Sequence, residues 1–373
     1  MTSIDWKALK PHVPLVPGSA EYVGRGESAA EEIAQWILAD RAPLLVGGPT
    51  GVGKSTELAR AAELLQANRV ACLVQLDRFE NMRRLTPDRM RLRIAQKVGF
   101  LAQEVLRLPL SGSLRNALEK VNLELLGESV EHEATPGVLM NATLAEVARL
   151  SRQGRVTLLI DGLEKVTEGA ESQDLFEALS LIRDEVELVV VIPWHAAFGP
   201  QAETVIRGGE RFVAVRAVEV QGEGGEPGRE FLRQIFLRRL HWPDEELAPN
   251  AAAKRSLVDD AIRWSGGLPR VFLQLLADAG SYAMLRRSDP WPTIEDLNDA
   301  CADQIESFRR LLMPGDIAAI RSAVGTSGSE LELERKIRLM AHGILLERLR
   351  DRTRLLEVLP LTKAAFDAGG VHA

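Results

Sequence analysis

The chain has 373 residues, of which 46% are hydrophobic and 27% are charged. This composition is typical of a globular protein, and the length allows two or three domains. A formal net charge of −7 gives no overall attraction to nucleic acid or anionic membranes, and no apolar run is long enough to span a bilayer. The only cysteines, Cys72 and Cys301, lie outside any metal-ligand spacing, which argues against disulfides and structural zinc. The first residues lack the apolar core of a signal peptide, so a cytoplasmic location is expected.

The first half of the chain alternates helix patterns with short apolar runs. Residues 1–20 are rich in proline and predict an extended N-terminal arm that covers a surface rather than building a core. Ser28–Asp40 predicts a capped amphipathic helix, and a long helical stretch is predicted from about Thr86 to Leu126, before the polar loop GESVEHEATPG. Four buried strands are predicted, at residues 43–48, 70–77, 155–162 and 186–193. Strands that alternate with helices in this way predict an α/β fold with a doubly wound parallel sheet.

The second half of the chain loses the strand pattern after a Gly- and Glu-rich linker, Val220–Gly228. From Arg229 to about Ser307 the periodicity is helical and predicts a separate helical subdomain. The last part reads as two helices and then two alternating strands around a polar turn, which predicts a winged helix-turn-helix. The predicted domains are an arm at 1–20, a core at 21–219, a helical region at 220–307 and a winged helix at 308–373.

The segment GPTGVGKS, residues 48–55, lies between the first predicted strand and a predicted helix. It matches G-x-x-x-x-G-K-[ST], a loop whose glycines let backbone N–H groups surround a phosphate at the positive end of a helix. Lys54 is expected to reach the β- and γ-phosphates, and Ser55 to bind Mg²⁺. A glycine-rich turn matches this pattern by chance in about 1% of chains of this length, and the flanking elements lower that figure. The predicted nucleotide-binding residues are Gly48, Pro49, Thr50, Gly51, Val52, Gly53, Lys54, Ser55 and Thr56.

A P-loop needs a carboxylate on a neighbouring strand, where it holds Mg²⁺ through the water shell of the ion. Asp161 ends the apolar run VTLLI and is the predicted Walker B aspartate, which makes Ser55 and Asp161 the predicted magnesium site. Glu164 follows three residues later. It either polarises the attacking water or is an ordinary solvated acid of the loop.

Two further stretches resemble motifs of STAND NTPases and origin-recognition-type AAA+ ATPases. EYVGRGE resembles the hydrophobic-Gly-Arg-Glu box before the P-loop, which supports the adenine side of the nucleotide and implies binding roles for Val23, Gly24 and Arg25. SGGLPRVFLQLL resembles their G-x-P lid motif. This resemblance implies nucleotide contacts from Pro269 and Arg270, with Arg270 as the sensor 2 arginine on the γ-phosphate.

The form IDGLEK resembles the Walker B of STAND proteins, and both groups carry a C-terminal winged helix. The resemblance covers the chain from about residue 21 to its end. It implies an ATP- and Mg²⁺-binding core, a helical lid at 220–307 and a winged helix that moves relative to them. No superstructure-forming repeats follow the winged helix, unlike in most large STAND receptors.

Several residues depart from the family pattern. Gly162 stands where fast AAA+ enzymes have a glutamate, which predicts slow hydrolysis. Trp194 and His195 take the place of a plain polar sensor 1 residue. Arg207 and Arg211 are candidates for an arginine finger, although surface arginines are a commoner explanation.

Arg270 has the clearest predicted mechanics. Gly267 can end one helix and Pro269 can begin the next, which leaves Arg270 in the first turn of a lid helix. From there its guanidinium could bridge to γ-phosphate oxygens when the lid closes, and loss of the γ-phosphate would release the lid. The alternative is a salt bridge on the lid surface.

The predicted C-terminal hairpin is rich in arginine. If its strands pair around Asp351–Arg352, several side chains point to one face and predict a wing that contacts phosphates. The alternating arginines are Arg348, Arg350, Arg352 and Arg354. Acidic residues dilute this patch, namely Glu330, Glu332, Glu334, Glu347, Asp351 and Glu357. A solvated face or a protein-docking face is at least as well supported.

Three hypotheses follow. The leading one is a slowly hydrolysing ATPase switch, in which ATP or ADP controls the lid, the winged helix and the engagement of a protein partner or a homo-oligomer. The alternative is a DNA-binding ATPase of the initiator or loader kind, with DNA not favoured as a partner. A small-molecule phosphoryl-transfer enzyme is a third. The family resemblance further suggests prokaryotic antiviral defence or signalling, and no membrane partner is expected.

Overall fold

The computed structural model of the chain describes residues 5–9, 11–13, 15, 18–26, 28–166, 170–182, 186–193, 211–241, 251–287, 291–350 and 353–367. The chain divides into two compact units. The sheet unit comprises Ala29–Gly47 and Lys54–Ala214, and the helical unit comprises Met1–Ser28, Gly48–Gly53 and Val215–Ala373. The domain boundaries expected from the sequence stay predictions.

The sheet unit contains a five-stranded parallel sheet with the order β2-β3-β4-β1-β5. Its strands are β1 (Leu44–Gly47), β2 (Val70–Gln75), β3 (Val156–Asp161), β4 (Glu187–Val191) and β5 (Arg211–Ala214). Strands β1, β3 and β4 are buried along their whole length, as expected for parallel strands covered on both faces. The predicted doubly wound parallel sheet is confirmed. The short edge strand β5 escaped prediction because two of its four residues are exposed and its apolar run is brief.

Six helices belong to the sheet unit within the described ranges. They are α1 (Ala29–Leu38), α2 (Lys54–Leu65), α3 (Pro87–Phe100), α4 (Gly112–Leu125), α5 (Pro136–Leu150) and α6 (Ala170–Ser180). The side chains of Thr86 and Thr135 cap α3 and α5, each followed by a proline in the first turn. Helix α3 packs against α4 and α5.

The helical stretch predicted from about Thr86 to Leu126 is helical over most of its length but is interrupted in the middle. After α3 a single π-helical turn covers Leu101–Val105, and Arg107 adopts a left-handed backbone with φ 54°. Pro109 lacks an N–H for a continuing helix, and the Ser111 hydroxyl then caps α4 by accepting from the Leu114 N–H at 3.4 Å.

The helical unit has four longer helices followed by a smaller C-terminal group. The longer helices are α7 (Glu226–Arg239), α8 (Ala251–Ser265), α9 (Pro269–Arg286) and α10 (Ile294–Arg309). The C-terminal group contains α11 (Asp316–Ala323), α12 (Leu333–Ala341), an antiparallel hairpin of β6 (Leu345–Arg350) and β7 (Thr353–Val358), and α13 (Pro360–Asp367). The helix–helix–hairpin order is the predicted one, and its assignment as a winged helix stays a prediction. Within the described part of the chain, no helix has the length and apolarity needed to cross a membrane.

The short helix Trp6–Leu9 is part of the core of the helical unit, which corrects the prediction of an extended surface arm for this stretch. Trp6 and Leu9 lie in a short 3₁₀ helix and are buried, with exposed fractions of 3% and 0%. The Trp6 ring lies 5.6 Å from the Trp291 ring and 6.3 Å from the Phe236 ring. The prolines of this segment predicted an extended arm, but aromatic side chains bury a large apolar area and so favour a place in the core.

Candidate functional site

The predicted phosphate loop connects β1 to α2, as the sequence indicates. Gly51 and Gly53 adopt φ values of +82° and +103°, which only glycine takes without strain. Lys54 and Ser55 form the start of α2, and Lys54 is buried. The first N–H groups of a helix have no intrahelical partner and carry partial positive charge. The loop and helix start therefore have the local structure that binds an anion.

Arg270 lies directly against this loop. Helix α8 ends at Ser265, and α9 begins at Pro269, so Arg270 lies in the first turn of α9 as predicted. The backbone N–H of Arg270 donates to the carbonyl oxygen of Gly51 at 3.2 Å. A Cβ atom on Gly51 would lie 2.7 Å from the Arg270 Cβ and 3.1 Å from its Cδ. The arginine stem thus crosses the loop at a point that only glycine allows.

The same loop is bonded to the C-terminal group of the helical unit. The Thr50 N–H donates to the carbonyl oxygen of Ala341, the last residue of α12, at 2.9 Å. Within the loop, the Val52 N–H donates to Pro49 O at 3.3 Å. The first half of the phosphate loop therefore forms backbone hydrogen bonds with two helices of this unit, α9 and α12.

Arg25 supports the loop from a third direction. Its guanidinium donates to the carbonyl oxygens of Val52 at 2.8 Å and Arg216 at 3.1 Å, and it lies 5.4 Å from the centre of the Phe231 ring. Sequence resemblance predicted a role on the adenine side for Arg25 with its neighbours Val23 and Gly24. That role stays a prediction, and the structure adds a direct contact between Arg25 and the phosphate loop.

Asp161 is the last residue of β3 and is only 2% exposed. Burial raises the pKa of its carboxyl group and the charge of Asp77 adds to this, whereas a hydrogen bond from the Ser55 hydroxyl and the charge of Lys54 oppose it. Its Oδ1 atom is buried and has no hydrogen-bond partner among the described residues. Ser55 and Asp161, the predicted magnesium pair, are therefore in contact.

Glu164 lies in the 3₁₀ turn Leu163–Lys165 that follows β3. Its Oε2 atom is buried and also lacks a partner in the described part of the chain. Burial raises the pKa of Glu164, and the negative charge of Asp161 adds to this while the charge of Lys54 opposes it. Glu164 is therefore not a fully solvated loop acid, and its role on an attacking water stays a prediction.

Gly162 explains why the chain departs from the family pattern at this position. It adopts φ +102°, and a Cβ atom there would lie 2.8 Å from the Asp77 backbone nitrogen. A glutamate at this position would need a strained backbone and would displace the end of the neighbouring chain segment. The backbone at position 162 therefore requires glycine, and Glu164 is the next acid along the chain.

Asp77 is an acid beside Asp161 that sequence reasoning did not single out. It follows β2 in a short 3₁₀ turn, forms an ion pair with Lys165, and lies close enough to Asp161 to raise its pKa. The available signal was its place at the end of the second predicted strand. The carboxyl ends of parallel strands meet at one edge of a sheet, so acids at two such ends lie near each other.

The remaining candidates have other positions. The Arg211 guanidinium lies 3.4 Å from the centre of the Trp36 ring, a cation–π contact that already engages this arginine-finger candidate. Trp194, His195 and Arg207 lie outside the described residues.

The arginines of the hairpin do not form the predicted phosphate-contacting face. Arg348 is 3% exposed and donates to three backbone carbonyls within the helical unit, and Arg350 pairs with Glu219 and Glu357. Arg354 is exposed, and Arg352 lies outside the described residues. The alternation of arginines was misleading, because Arg348 faces the interior of its own unit.

A parallel sheet whose strand β1 leads through a glycine loop into a helix defines the P-loop NTPase fold. No protein-family model and no curated protein matches the chain. Solved structures do, among them a Walker-type ATPase of Pyrococcus abyssi, with a TM-score of 0.58, 13% identity, and 96% of this chain and 99% of that chain covered. Identity this low shows a shared fold alone.

Two further matches to solved structures have TM-scores below 0.5. Cdc6p from Pyrobaculum aerophilum matches with a TM-score of 0.43 and 15% identity, covering 98% of this chain and 97% of that one. The RuvB Holliday junction branch migration motor of Thermotoga maritima matches with a TM-score of 0.38 and 12% identity, covering 92% and 94%.

Proposed function

We propose that the protein is an ATP-binding molecular switch of the AAA+ class that hydrolyses ATP slowly and uses Mg²⁺. The observation that carries the proposal is the position of Arg270, whose backbone donates to Gly51 and whose stem lies across the phosphate loop. A guanidinium anchored to the loop by its own backbone can respond to the charge of a bound phosphate. The fold shared with the Walker-type ATPase of Pyrococcus abyssi supports the same class.

The residues of the site fit a magnesium nucleotide. Lys54 would bind the β- and γ-phosphates, while the Ser55 hydroxyl and, through water, Asp161 would hold Mg²⁺. When bound, the ion neutralises charge that develops on the phosphates. The buried oxygens without partners on Asp161 and Glu164 fit a hydrated cation and an attacking water, since buried carboxylate oxygens are otherwise hydrogen-bonded. Glu164 would orient that water and accept its proton.

The switch depends on the γ-phosphate. With ATP bound, Arg270 would add charge-assisted hydrogen bonds to γ-phosphate oxygens, and these are lost with ADP. A shift from a mostly open to a mostly closed population requires about 5.5 kcal/mol of differential binding. Several such bonds, at about 1.5–3 kcal/mol each, supply that amount. Release of Arg270 would then free the lid and the C-terminal winged helix to engage a protein partner or a second copy of the chain.

The biological setting follows from family resemblance alone. Compact STAND-like ATPases belong to prokaryotic defence and signalling systems, and we extend that role and a cytoplasmic location to this chain.

Small-angle scattering tests the switch. Wild-type protein should give different profiles with ADP and with a non-hydrolysable ATP analogue, and Arg270→Ala should give the same profile with both. Arg354→Ala serves as the matched control, because Arg354 is an exposed arginine of the hairpin, and it should behave as wild type. Wild-type profiles that do not depend on the nucleotide would remove the switch from the proposal.

The DNA-binding alternative has less support. Arg348 and Arg350 are engaged within their own unit, which removes two of the four arginines it relied on. DNA binding through the rest would weaken steeply as salt rises. A titration without salt-sensitive binding, with and without ATP, discards this alternative.

A further inference from the structure

Arg348 occupies an unusual position for an arginine of a hairpin strand. It lies in β6 with only 3% of its surface exposed. Its Nη1 donates to the carbonyl oxygens of Ala217 at 2.8 Å and Val218 at 2.9 Å, and its Nη2 donates to Gly266 O at 2.7 Å. Its Nε donates to the Glu357 carboxylate at 3.1 Å. Each of the three guanidinium nitrogens therefore donates a hydrogen bond to a residue of the same unit.

One of the three carbonyls, that of Gly266, belongs to the turn that leads to Arg270, and the other two belong to a segment that is bonded to this turn. Gly266 lies in the turn between α8 and α9, and the Val218 N–H donates to Gly267 O in the same turn at 3.1 Å. Helix α9 begins two residues after Gly267. Arg348 thus binds both chain segments that fix where α9 starts, and Arg270 lies in the first turn of that helix.

Planar geometry makes this role specific to arginine. A guanidinium presents five donors in a fixed fork, whereas a lysine ammonium is a single point charge. Three carbonyls and the carboxylate of Glu357 accept hydrogen bonds from Arg348, and the Glu219 carboxylate lies 3.9 Å from its Nε. A lysine at the same position would leave some of these acceptors without a donor. Buried carbonyls without donors would draw in water or shift, and the turn before α9 would lose its fixed position.

We propose that Arg348 is a positioning residue for Arg270: it couples the C-terminal hairpin to γ-phosphate recognition by holding the turn from which the Arg270 helix starts. The contacts run from the hairpin through Gly266 to Arg270 and on to Gly51 of the phosphate loop. The inference rests on the proposed function, in which Arg270 recognises the γ-phosphate.

The measurement is the preference for a γ-phosphate, taken as the Kd for Mg-ADP divided by the Kd for a non-hydrolysable Mg-ATP analogue. Arg270→Ala should lower this ratio by tenfold or more, because it removes charge-assisted bonds to one phosphate group. Arg348→Lys should lower it about tenfold with little change in the Kd for ADP. The double variant should lose no more than Arg270→Ala alone, because both substitutions remove the same interaction.

Arg350→Lys is the matched control. Arg350 lies on the same strand and contacts the same two acids, Glu219 and Glu357, but it donates to none of the three carbonyls. It should keep the wild-type ratio. Glu357→Gln, which leaves the arginine in place but removes the nearer of its two anionic partners, should give an intermediate ratio and serves if Arg348→Lys does not fold.

The outcomes separate this inference from the proposed function. If Arg270→Ala keeps the wild-type ratio, γ-phosphate recognition by Arg270 fails and both proposals fall. If Arg270→Ala lowers the ratio but Arg348→Lys and Glu357→Gln keep it, while their melting temperatures fall, then Arg348 only stabilises the fold and this inference is overturned. Additive losses in the double variant would also overturn it.

Discussion

Two regions of the molecule bury carboxyl groups. They differ in whether the protein supplies hydrogen-bond partners for the buried oxygens. In the helical unit, Asp316 is fully buried and accepts from Arg335 at 3.1 Å, from Arg338 at 2.7 Å and from the Met313 N–H at 2.7 Å. In the sheet unit, Asp161 and Glu164 each keep a buried oxygen without a partner in the described residues.

The pKa shifts express the same difference. Burial would raise the pKa of Asp316, but the Arg338 hydrogen bonds, the Met313 amide and the nearby arginine charges bring it below its usual range. For Asp161 and Glu164 burial prevails, and both pKa values rise. A buried acid whose partners are all supplied by the protein serves the fold, and one that lacks them indicates a ligand.

The largest effect is expected from Asp316→Asn. The amide nitrogen would face an arginine donor, and Arg335 and Arg338 would lose their anion. We expect the free energy of unfolding to fall by about 2–3 kcal/mol, below the usual cost for a broken buried pair because both arginines are partly exposed. Urea denaturation measures this change. Nucleotide affinity of the folded variant should be that of wild type, and a loss of affinity with unchanged stability would reverse the assignment.

The same substitution gives a pH dependence of defined sign. The folded-state pKa of Asp316 is lowered, so its contribution to stability is present above the unfolded value of about 3.9 and is lost as pH falls through the folded value. The gap in stability between wild type and Asp316→Asn should therefore be constant from pH 7 to about pH 5 and should close below pH 4. A gap that does not narrow as the pH falls below 4 would assign it to packing rather than to charge.

Asp161→Asn should show the opposite pattern. Hydrolysis of ATP should fall by about 10–100-fold, the usual cost of losing a group that holds a metal through its water shell. The free energy of unfolding without nucleotide should stay the same or rise, because a neutral amide replaces a buried carboxylate of which one oxygen lacks a partner. Asp174→Asn, at an exposed residue of the same unit, is the control. Marked destabilisation of Asp161→Asn would place this acid with Asp316 as a structural one.

The smallest effect is expected from thiol reagents, which probe one buried group in each unit. Burial raises the pKa of Cys72 and of Cys301 to about 12, so only about 1 thiol in 10,000 is ionised at pH 8. Neither cysteine should react with a disulfide reagent in the folded protein, and both should react in guanidinium. Rapid labelling of one of them would show that its unit opens readily under native conditions.

Sequence patterns predicted the sheet and the phosphate loop well because both depend on local signals. The loop needs glycines, a lysine and a hydroxyl at fixed spacing, and buried parallel strands need short apolar runs. Arg270 was also predicted in its place, since Gly267 and Pro269 mark a helix end and a helix start.

The features that the sequence did not reveal depend on distant partners. In the sequence, Arg348 looks like a surface arginine. In the structure it donates to the carbonyl oxygens of Ala217 and Gly266, which lie about 130 and 80 positions away from it in the chain. The effect of Asp77 on the pKa of Asp161 depends on the two acids lying close together in the fold. The need for glycine at position 162 likewise depends on the nearby backbone of Asp77. Non-local packing of this kind leaves no periodicity in the sequence.

During translation, Trp6 is synthesised long before the residues that bury it. A Cβ atom on Gly280 would lie 2.2 Å from the Trp6 indole, so the two residues touch although about 270 positions separate them. At translation rates of about 5–20 residues per second, the indole waits roughly 14–55 s for this surface to be made. Ala29–Gly47 and Lys54–Ala214, by contrast, are complete well before the last helices emerge. The Trp6 indole therefore stays exposed on the nascent chain until the helix that contains Gly280 has been made, and this is the interval in which a chaperone would bind it.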